Sequence, residues 1–452
     1  MKFKQFYLGC LSHASYYLGS GGEAAIVDPQ RDVGQYLAEA GANGQKIKYI
    51  IETHSHADFV SGHIELANKT GAAIVYGRRA DTGFTALKVK DGDELTVGDI
   101  RLTFFETPGH TPEGITILAE DTKDPAEPQK LFTGDTLFIG DVGRPDLIGS
   151  KGHTAEEMAG MLYDSLHEKI LPLPDETEIY PAHGAGSLCG KSLSTETWST
   201  LGNQRQFNYA LQPMPKDEFI KLVGTGQTEV PAYFPKSAAA NLRGASSLDD
   251  LPEAVNLTAG EIRDFEGVVL DVRSAGEFGA GHIPGALNIG LGGQFASWAG
   301  ALIEIGTPIA VAAEREEQVE EAVVRLARVG IETVRGFILM TDWAFETAEI
   351  EQVSVDTMKA VNSSGADIQF VDVRRAGEYT AGHAPGAVNL TLSDLGKLSA
   401  ELDRSKPTYV ICQGGYRSSA ATSILEEAGF EELYNVTGGT AAWIKAGLEI
   451  ES

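Results

Sequence analysis

The strongest constraint on the fold of this chain is an internal repeat in its C-terminal part. Residues 270–278 read Leu-Asp-Val-Arg-Ser-Ala-Gly-Glu-Phe, and residues 371–379 read Val-Asp-Val-Arg-Arg-Ala-Gly-Glu-Tyr. The similarity continues at the same offset, because residues 280–288 match residues 381–389. Matching runs at one fixed offset indicate two copies of one module, and about 100 residues is a common domain size.

Each copy of the repeat alternates strands with helices. A buried strand ends at the Asp-Val-Arg sequence, and a second strand precedes a helix later in the copy. This alternation favours a small, mostly parallel α/β sheet. The strands are predicted over residues 267–272 and 308–312 in the first copy, and over residues 368–373 and 408–411 in the second.

The chain has 452 residues, enough for about three domains at ~150 residues each. Ahead of the repeats, short strands interleave with helices, and a stretch without strand periodicity follows them. We therefore expect a first domain with a helical extension and linker, and then the two repeats. The expected domains are residues 1–250, 251–350 and 351–452. Strands of the first domain are predicted over residues 23–28, 47–53, 101–106 and 114–119.

Composition excludes several classes of function. The chain carries 36 Lys and Arg against 64 Asp and Glu, a net charge of −28, which argues against nucleic acid or an anionic membrane as a partner. Three cysteines are too few for a disulfide framework, and their odd number favours a reducing compartment. No apolar run approaches the ~18 residues that span a bilayer, so we expect a cytoplasmic protein.

Histidine and aspartate stand at the ends of several predicted strands in the first domain. Imidazole and carboxylate groups that converge from separate loops are typical of a first-row transition metal, whereas Ca²⁺ or Mg²⁺ would take mostly oxygen ligands. The alternative is a set of unrelated loop residues, but four such motifs with turn-forming Gly or Pro make it minor. The motifs contain His54, His56 and Asp58 in the first loop, then His110, Asp135 and His183 in the later ones.

These motifs resemble the metallo-β-lactamase fold, an αββα sandwich with its metal at the edge of two sheets. The family's first motif usually reads His-x-His-x-Asp-His, and this chain has Phe59 at the last position. The missing histidine normally helps to bind a second metal. A dinuclear zinc thioester hydrolase of the glyoxalase II type is therefore the alternative, and the resemblance favours the family's mononuclear branch.

The mononuclear branch consists of the persulfide dioxygenases. Their resemblance implies one Fe(II) per chain, bound by His54, His110 and Asp135. Two His and one carboxylate leave positions open for a substrate sulfur and O₂. The remaining motif residues would orient the ligands or a water molecule. These residues are His56, Asp58 and His183.

The same resemblance suggests residues that bind the substrate. In persulfide dioxygenases, an arginine at the place of Arg144 binds the carboxylate of a thiol such as glutathione, although an ion pair with Asp146 is the alternative. Tyr180 is a candidate for the same pocket, and ordinary packing is its alternative. Cys189 is interpreted either as a thiol near the metal or as a packed cysteine.

A second reactive centre is predicted in the second repeat, where the strand over residues 408–411 leads into Cys412. Glycine-rich backbone and a helix N-terminus together form a cradle that stabilises an anion or a thiolate. Arg417 supplies a forked cation for a sulfonate or a thiosulfate-like substrate. The other residues of the predicted loop are Gln413, Gly414, Gly415, Tyr416 and Ser418.

This loop resembles the Cys-x-x-Gly-x-Arg loop of rhodaneses, and both repeats resemble rhodanese domains throughout. The resemblance implies sulfur transfer through a persulfide on Cys412. In the first repeat, Ala313 aligns with Cys412, and residues 314–317 read Glu-Arg-Glu-Glu, which would repel anions. We therefore interpret the first repeat as an inactive rhodanese-like domain.

Over nearly the whole chain, the order of parts resembles bacterial persulfide dioxygenases fused to tandem rhodanese domains. This implies oxidation of a low-molecular-weight thiol persulfide by O₂ to sulfite and thiol, coupled to the making or use of thiosulfate at Cys412. Such a protein would serve sulfide detoxification and form a homodimer or homotetramer. A non-catalytic sulfide sensor, which would consume no O₂, is a further hypothesis.

Overall fold

The computed structural model describes residues 1–147, 152–227 and 230–452. The chain forms two compact units. Unit 1 contains Met1–Leu251 together with Ala327–Gly330, and unit 2 contains Pro252–Leu326 together with Ile331–Ser452. Within these described ranges, no helix has the length and apolar character that crossing a membrane requires.

Unit 1 contains two six-stranded sheets. The first sheet consists, in spatial order, of β1 (Lys2–Leu8), β2 (His13–Ser20), β3 (Glu23–Val27), β4 (Lys46–Ile51), β5 (Ala73–Gly77) and β6 (Leu87–Val89). The strands of the second sheet are β7 (Glu94–Val97), β8 (Ile100–Glu106), β9 (Ile115–Asp121), β10 (Lys130–Gly134), β11 (Glu178–Pro181) and β12 (Ser199–Thr200), in the order β12-β11-β10-β9-β8-β7. Strands β3 to β6 pair in parallel, and so do β10 and β11.

Helices cover the outer face of each sheet in unit 1. They are α1 (Gly34–Ala42), α2 (His63–Thr70), α3 (Ala155–Ser165), α4 (Leu201–Phe207), α5 (Lys216–Gly224) and α6 (Phe234–Arg243). The inner faces of the two sheets share one apolar core, in which Tyr16 of β2 and Phe132 of β10 are buried. Tyr36 of α1 packs on the outside of the first sheet, and Leu162 of α3 packs on the outside of the second. These four layers are the αββα sandwich that the sequence predicts.

The strand predicted over residues 47–53 ends earlier in the structure, at Ile51. Asp28 has a left-handed backbone with φ of 50°. Its side chain, in place of a neighbouring strand, accepts the hydrogen bond of the Thr53 backbone. Its carboxylate accepts hydrogen bonds from the backbone N–H and the hydroxyl of Thr53, at 2.7 and 2.8 Å. The chain therefore leaves the sheet just before the first predicted metal loop.

Unit 2 contains two five-stranded sheets with the same strand order. The first has the order β13-β17-β16-β14-β15 and consists of β13 (Val255–Asn256), β14 (Val268–Asp271), β15 (Leu287–Asn288), β16 (Ile309–Ala313) and β17 (Val334–Leu339). The second has the order β18-β22-β21-β19-β20 and consists of β18 (Glu351–Val353), β19 (Gln369–Asp372), β20 (Val388–Asn389), β21 (Thr408–Ile411) and β22 (Leu433–Val436). All these pairings are parallel, so the predicted repeat of a parallel α/β module is confirmed.

The helices of unit 2 connect these parallel strands. They are α7 (Ala259–Arg263), α8 (Ala275–Ala280), α9 (Phe295–Leu302), α10 (Glu316–Ala327, whose last residue counts to unit 1), α11 (Val355–Ser363), α12 (Ala376–Thr380), α13 (Leu395–Leu398), α14 (Tyr416–Glu427) and α15 (Gly439–Lys445). The shorter helical turns among the described residues of both units are Leu166–Ile170, Tyr209–Leu211, Leu248–Asp250, Met340–Asp342, Leu392–Asp394 and Ser399–Glu401.

Strand register aligns the two modules of unit 2 residue by residue. Asp271 of β14 lies opposite Ala312, and Asp372 of β19 lies opposite Ile411. The residue after Ala312 is Ala313 in the first module, and the residue after Ile411 is Cys412 in the second. The same place in the fold therefore carries a methyl group in one module and a thiol in the other.

The two modules share a hydrophobic core and a buried hydrogen-bond network. One apolar cluster includes Phe278 of the first module and Leu425 of the second. The hydroxyl of Ser419 donates to Asn288 Oδ1 at 2.6 Å, and the backbone N–H of Asn288 donates to Ser423 Oγ at 3.1 Å. Because a buried polar atom that loses its partner is costly, this network links the stability of one module to that of the other.

Replacing Ser419 by alanine should destabilise unit 2. The substitution leaves Asn288 Oδ1 without the Ser419 hydroxyl, and the expected loss is about 1–3 kcal/mol of unfolding free energy. Urea unfolding would measure it. Ser405→Ala removes an exposed hydroxyl that binds only Asp403 and should change stability by less than about 0.5 kcal/mol. Equal effects of the two substitutions would contradict the buried network.

Candidate functional site

Three buried side chains that the sequence predicts as ligands meet at one edge of unit 1. His54 follows β4, His110 lies between β8 and β9, and Asp135 follows β10. The Oδ2 atom of Asp135 lies 3.3 Å from Nε2 of His110 and 3.8 Å from Nε2 of His54. One donor atom from each of the three residues lies within 4.8 Å of the others, which is a spacing that can hold a metal ion.

Hydrogen bonds fix which nitrogen of each histidine faces this cluster. Nδ1 of His110 lies 2.9 Å from the backbone carbonyl of Arg144, which can only accept. Nδ1 of His54 lies 2.9 Å from the Thr53 hydroxyl, and that hydroxyl donates to Asp28. Both Nδ1 atoms therefore carry the proton, and both Nε2 lone pairs are directed to Asp135. Outer partners of this kind orient metal-binding histidines.

Burial keeps these imidazoles in the neutral form that binds metals. It holds the pKa of His54 well below the usual value, with a further contribution from neighbouring histidines. The pKa of His110 is also lowered, chiefly by burial and against the opposing charge of Asp135. Nε2 of His110 and both Asp135 oxygens are buried and lack a hydrogen-bond partner among the described residues. A bound cation would satisfy all three atoms, so these residues fit a metal.

The second predicted group lies beside the first. Nε2 of His183 is 3.4 Å from Asp58 Oδ2 and 3.6 Å from Asp135 Oδ1. His56 is also buried here, but its Nε2 atom lies 3.1 Å from Asp28. Burial would lower the pKa of His56, yet the carboxylates around it, Asp28 foremost, raise it to about 9. The orienting role of His56 stays a prediction.

Phe59 fills the position where the family motif usually has a histidine. Its ring is buried, with its centroid 4.1 Å from that of His13 and 4.5 Å from that of His56. An apolar ring cannot bind a metal, so this position offers packing in place of a ligand.

Several buried polar residues of the site were missed by the sequence analysis. His13 begins β2, and its ring centroid lies 5.6 Å from that of His56 and 5.5 Å from that of His183. Asp28 and Glu52 lie on the other side of His56, within 3.1 and 3.6 Å of its Nε2 atom. Asp28 directly follows a strand, as the predicted ligands do, and this was the available signal.

Cys189 lies close to the predicted ligands. Its sulfur, a carboxylate oxygen of Asp135 and a nitrogen of His183 are within 4.8 Å of one another. Burial raises the pKa of the Cys189 thiol well above its ordinary value, and the charges of Asp58 and Asp135 add to the shift. Cys189 is therefore both buried and close to the predicted ligands, so both interpretations of this cysteine agree with the structure.

The two predicted substrate-binding residues have partners inside the chain. Arg144 is buried, and its Nε and Nη2 atoms donate to the carboxylate of Asp146 at 2.7 and 2.9 Å. The ion pair considered as the alternative is therefore present. Tyr180 packs against Phe3 at 4.7 Å between ring centroids and donates its hydroxyl to Glu178 at 3.0 Å. These contacts of Tyr180 agree with its alternative interpretation, which is ordinary packing.

The loop after β21 surrounds the sulfur of Cys412. The backbone N–H of Gly415 donates to this sulfur at 3.1 Å, and the Ser418 hydroxyl donates at 3.4 Å. Gly415 has a left-handed backbone with φ of 95°, which turns its N–H inward just before α14 begins. Cys412 is buried. The geometry agrees with the predicted cradle, in which Gln413, Gly414, Gly415, Tyr416, Arg417 and Ser418 follow the cysteine.

Arg417 does not present a free fork to this cradle. Its Nη1 and Nη2 atoms donate to the two carboxylate oxygens of Glu378, each at 2.7 Å. Tyr416 is held by the first module, because its hydroxyl donates to the Gly290 carbonyl at 2.8 Å. The sequence analysis missed Glu378, although it stands within the repeated motif. Binding of a substrate anion by Arg417 stays a prediction, and it would compete with Glu378.

Comparison with known proteins agrees with this architecture. Residues 8–183 match the metallo-beta-lactamase superfamily, and residues 252–337 and 355–446 match the rhodanese-like domain. A mitochondrial persulfide dioxygenase of Homo sapiens is 30% identical over 236 residues, which cover 51% of this chain and 83% of that protein. The chain belongs to the metallo-beta-lactamase superfamily.

Two further relatives of this superfamily member are informative. A cytoplasmic hydroxyacylglutathione hydrolase of Arabidopsis thaliana is 34% identical over 188 residues, which cover 40% of this chain and 67% of that protein. A crystal structure of a metallo-beta-lactamase from Staphylococcus aureus is 35% identical, with a TM-score of 0.69, and covers 75% of this chain and 99% of that one. These comparisons confirm the predicted fold class and the resemblance to a dioxygenase–rhodanese fusion.

Substituting Thr53 by valine should weaken metal binding by this superfamily member about tenfold or more. Valine keeps the shape of the side chain but removes the hydroxyl that orients His54, and losses of this size are typical of such outer partners. Competition with a chelator would measure it. Thr116→Val removes another buried hydroxyl, which binds only Thr107, and should leave metal affinity unchanged. Equal affinities of the two variants would contradict the orienting role of Thr53.

Proposed function

We propose that this protein is a non-haem Fe(II) persulfide dioxygenase with one iron per chain. The observation that carries the proposal is the convergence of His54, His110 and Asp135, with the ring of Phe59 where a further ligand would stand. Two imidazoles and one carboxylate are the ligand set typical of non-haem Fe(II) oxygenases. The similarity to a human persulfide dioxygenase supports this choice.

The proposed substrate is the persulfide of a low-molecular-weight thiol, such as glutathione. In the overall reaction, the outer sulfur of RSSH is oxidised and O₂ is reduced, so that RSSH, O₂ and H₂O give RSH, SO₃²⁻ and two protons. Fe(II) in such a ligand set supplies open positions for O₂ and a sulfur. Arg144 is proposed to bind the carboxylate of the thiol, which would replace Asp146 as the partner of its guanidinium.

The neighbouring buried residues have supporting roles in this proposal. His183 and Asp58 lie side by side next to Asp135 and can hold the water molecule that the reaction consumes. His56 is anchored by Asp28 and keeps the first loop in place. Phe59 places an apolar ring where a further ligand would stand, which disfavours a second metal ion.

We further propose that Cys412 transfers sulfur between a persulfide and sulfite. When thiosulfate is used, the Cys412 thiolate attacks its outer sulfur, the S–S bond breaks, and sulfite leaves with the electron pair. Cys412 then carries a persulfide, and the reverse sequence makes thiosulfate. Hydrogen bonds from Gly415 and Ser418 support this role, because they stabilise negative charge on the sulfur. The first module is proposed to be inactive, since it has Ala313 in the equivalent place.

A second candidate function is a dinuclear zinc thioester hydrolase. Similarity to the hydroxyacylglutathione hydrolase of Arabidopsis thaliana favours it, as does the closeness of His56, Asp58 and His183 to one another. The substitution at Phe59 and the charged partners of His56 argue against it. The cytoplasmic location and the homodimer or homotetramer stay predictions.

Two substitutions should separate the proposed activities. Asp135→Ala removes a metal ligand and should lower O₂ uptake with glutathione persulfide by more than about 100-fold. Cys412→Ser should leave O₂ uptake within about twofold but shift the product from thiosulfate to sulfite, because only the transfer step needs this thiol. An oxygen electrode and ion chromatography would measure these quantities.

Cys10→Ser is the matched control, because Cys10 lies outside both groups of residues and should keep both activities. Equal losses of O₂ uptake in Asp135→Ala and Cys412→Ser would refute two separate sites. Absence of O₂ uptake by the unaltered protein would instead favour the sensor or the hydrolase.

A further inference from the structure

The two modules differ at one position next to the Asp-Val-Arg sequence. In the first module this residue is Ser274, which caps α8. Its hydroxyl accepts a hydrogen bond from the Glu277 backbone at 3.3 Å, and its own N–H donates to the Glu277 carboxylate at 2.9 Å. This reciprocal pair is a capping box, an arrangement that stabilises the start of a helix.

The second module has Arg375 at this position, and its side chain provides no capping hydrogen bond to α12. The counterpart of Glu277 is Glu378, which accepts the Arg375 backbone N–H at 3.2 Å and also uses both carboxylate oxygens to bind Arg417. An arginine is a poor residue at a helix start, because it lacks a side-chain acceptor and brings positive charge to the positive end of the helix dipole. The second module thus keeps the half of the capping box that the glutamate provides, but it lacks the side-chain acceptor that Ser274 provides in the first module.

The other cations near Cys412 are already bound inside the module. Arg417 is held by Glu378, and its guanidinium lies 5.9 Å from the ring centroid of Trp298. Arg374 is buried and binds Asp372 through three hydrogen bonds of 2.7 to 3.0 Å. A dianion such as thiosulfate would have to displace one of these carboxylates to reach either arginine.

Arg375 is the cation that remains available. Arg375 is exposed. Among the described residues, its guanidinium has no hydrogen-bond or ion-pair partner. Arg375 is connected to the Cys412 loop through Glu378, which accepts a hydrogen bond from the Arg375 backbone N–H at 3.2 Å and binds Arg417 through both oxygens. In a protein with a net charge of −28, a cation next to the Glu378–Arg417 pair that is not itself bound to a carboxylate would favour the approach of an anion.

We propose that Arg375 binds the anionic sulfur substrate at the Cys412 site, in the form of the sulfonate group of thiosulfate or the sulfite ion. The inference rests on the proposed sulfur transfer at Cys412. Arg375 holds the dianion while the thiolate attacks its outer sulfur, and it then faces the sulfite that leaves with the electron pair of the broken S–S bond. Its guanidinium has the forked shape that suits such an oxyanion.

Arg375→Ser in the full chain tests this role and copies the first module. We expect the KM for thiosulfate to rise about tenfold, since a charge-assisted contact is lost, while kcat with cyanide as the sulfur acceptor stays within about twofold. The melting temperature should stay the same or rise, because serine can restore the cap. Thiocyanate formation and thermal unfolding give the two readouts. Arg375→Gln should show the same rise in KM, and Arg375→Lys a smaller one.

Arg404→Ser is the matched control, since it removes an exposed arginine elsewhere in the same module, and its KM should equal that of the unaltered protein. If the KM were unchanged in both Arg375→Ser and Arg375→Gln while activity still required Cys412, the role of Arg375 would be contradicted but the proposed sulfur transfer would not. A KM increase of the same size in Arg404→Ser would also overturn it. If Cys412→Ser retained full thiocyanate formation, both this inference and the proposed sulfur transfer would be contradicted.

Discussion

The buried carboxylate of Asp135 is the group around which the first unit is arranged. Its two oxygens face the Nε2 atoms of His54, His110 and His183 at 3.3 to 3.8 Å. A buried charge is costly unless it is paired or binds a metal. Neither oxygen has a hydrogen-bond partner among the described residues, so a cation is the partner that this arrangement calls for.

The sandwich architecture makes this convergence possible. His54 belongs to a loop of the first sheet, whereas His110, Asp135 and His183 follow or connect strands of the second. Because the two sheets pack face to face through one apolar core, loops that are distant in sequence meet at one edge. Glycine is required where the loops touch. A Cβ atom at Gly134, whose φ is 50°, would lie 2.5 Å from the Thr53 hydroxyl that orients His54.

Sequence patterns, together with the family resemblance, were sufficient for the fold class and the repeat, and they named three side chains that the structure brings together, His54, His110 and Asp135. The repeat was visible because both copies keep the same strand-ending motif, and the ligand loops were visible because each follows an apolar strand. The partners of these residues were not predictable in the same way. Glu378 binds Arg417, and Asp146 binds Arg144, but nothing in the sequence shows which carboxylate a buried arginine selects. His13 was missed because it begins a strand, whereas the predicted ligands follow strands.

The two rhodanese-like modules show how one fold separates packing from chemistry. Both keep the same strand order and the same buried Asp–Arg pair at the end of the second strand, Asp271 with Arg273 and Asp372 with Arg374. They differ at two places. Ala313 stands at the end of β16 where Cys412 follows β21, and Ser274 precedes α8 where Arg375 precedes α12. In the first module these places carry a methyl group and a helix-capping serine, and in the second they carry the proposed nucleophile and the proposed anion-binding residue.

The central claim is that this edge of the sandwich holds a single iron that serves persulfide oxidation. The most direct measurement is the metal content of anaerobically purified protein, combined with O₂ uptake after the addition of glutathione persulfide. The account predicts about one iron per chain and consumption of about one O₂ for each persulfide oxidised. Two zinc ions per chain and no O₂ uptake would contradict it.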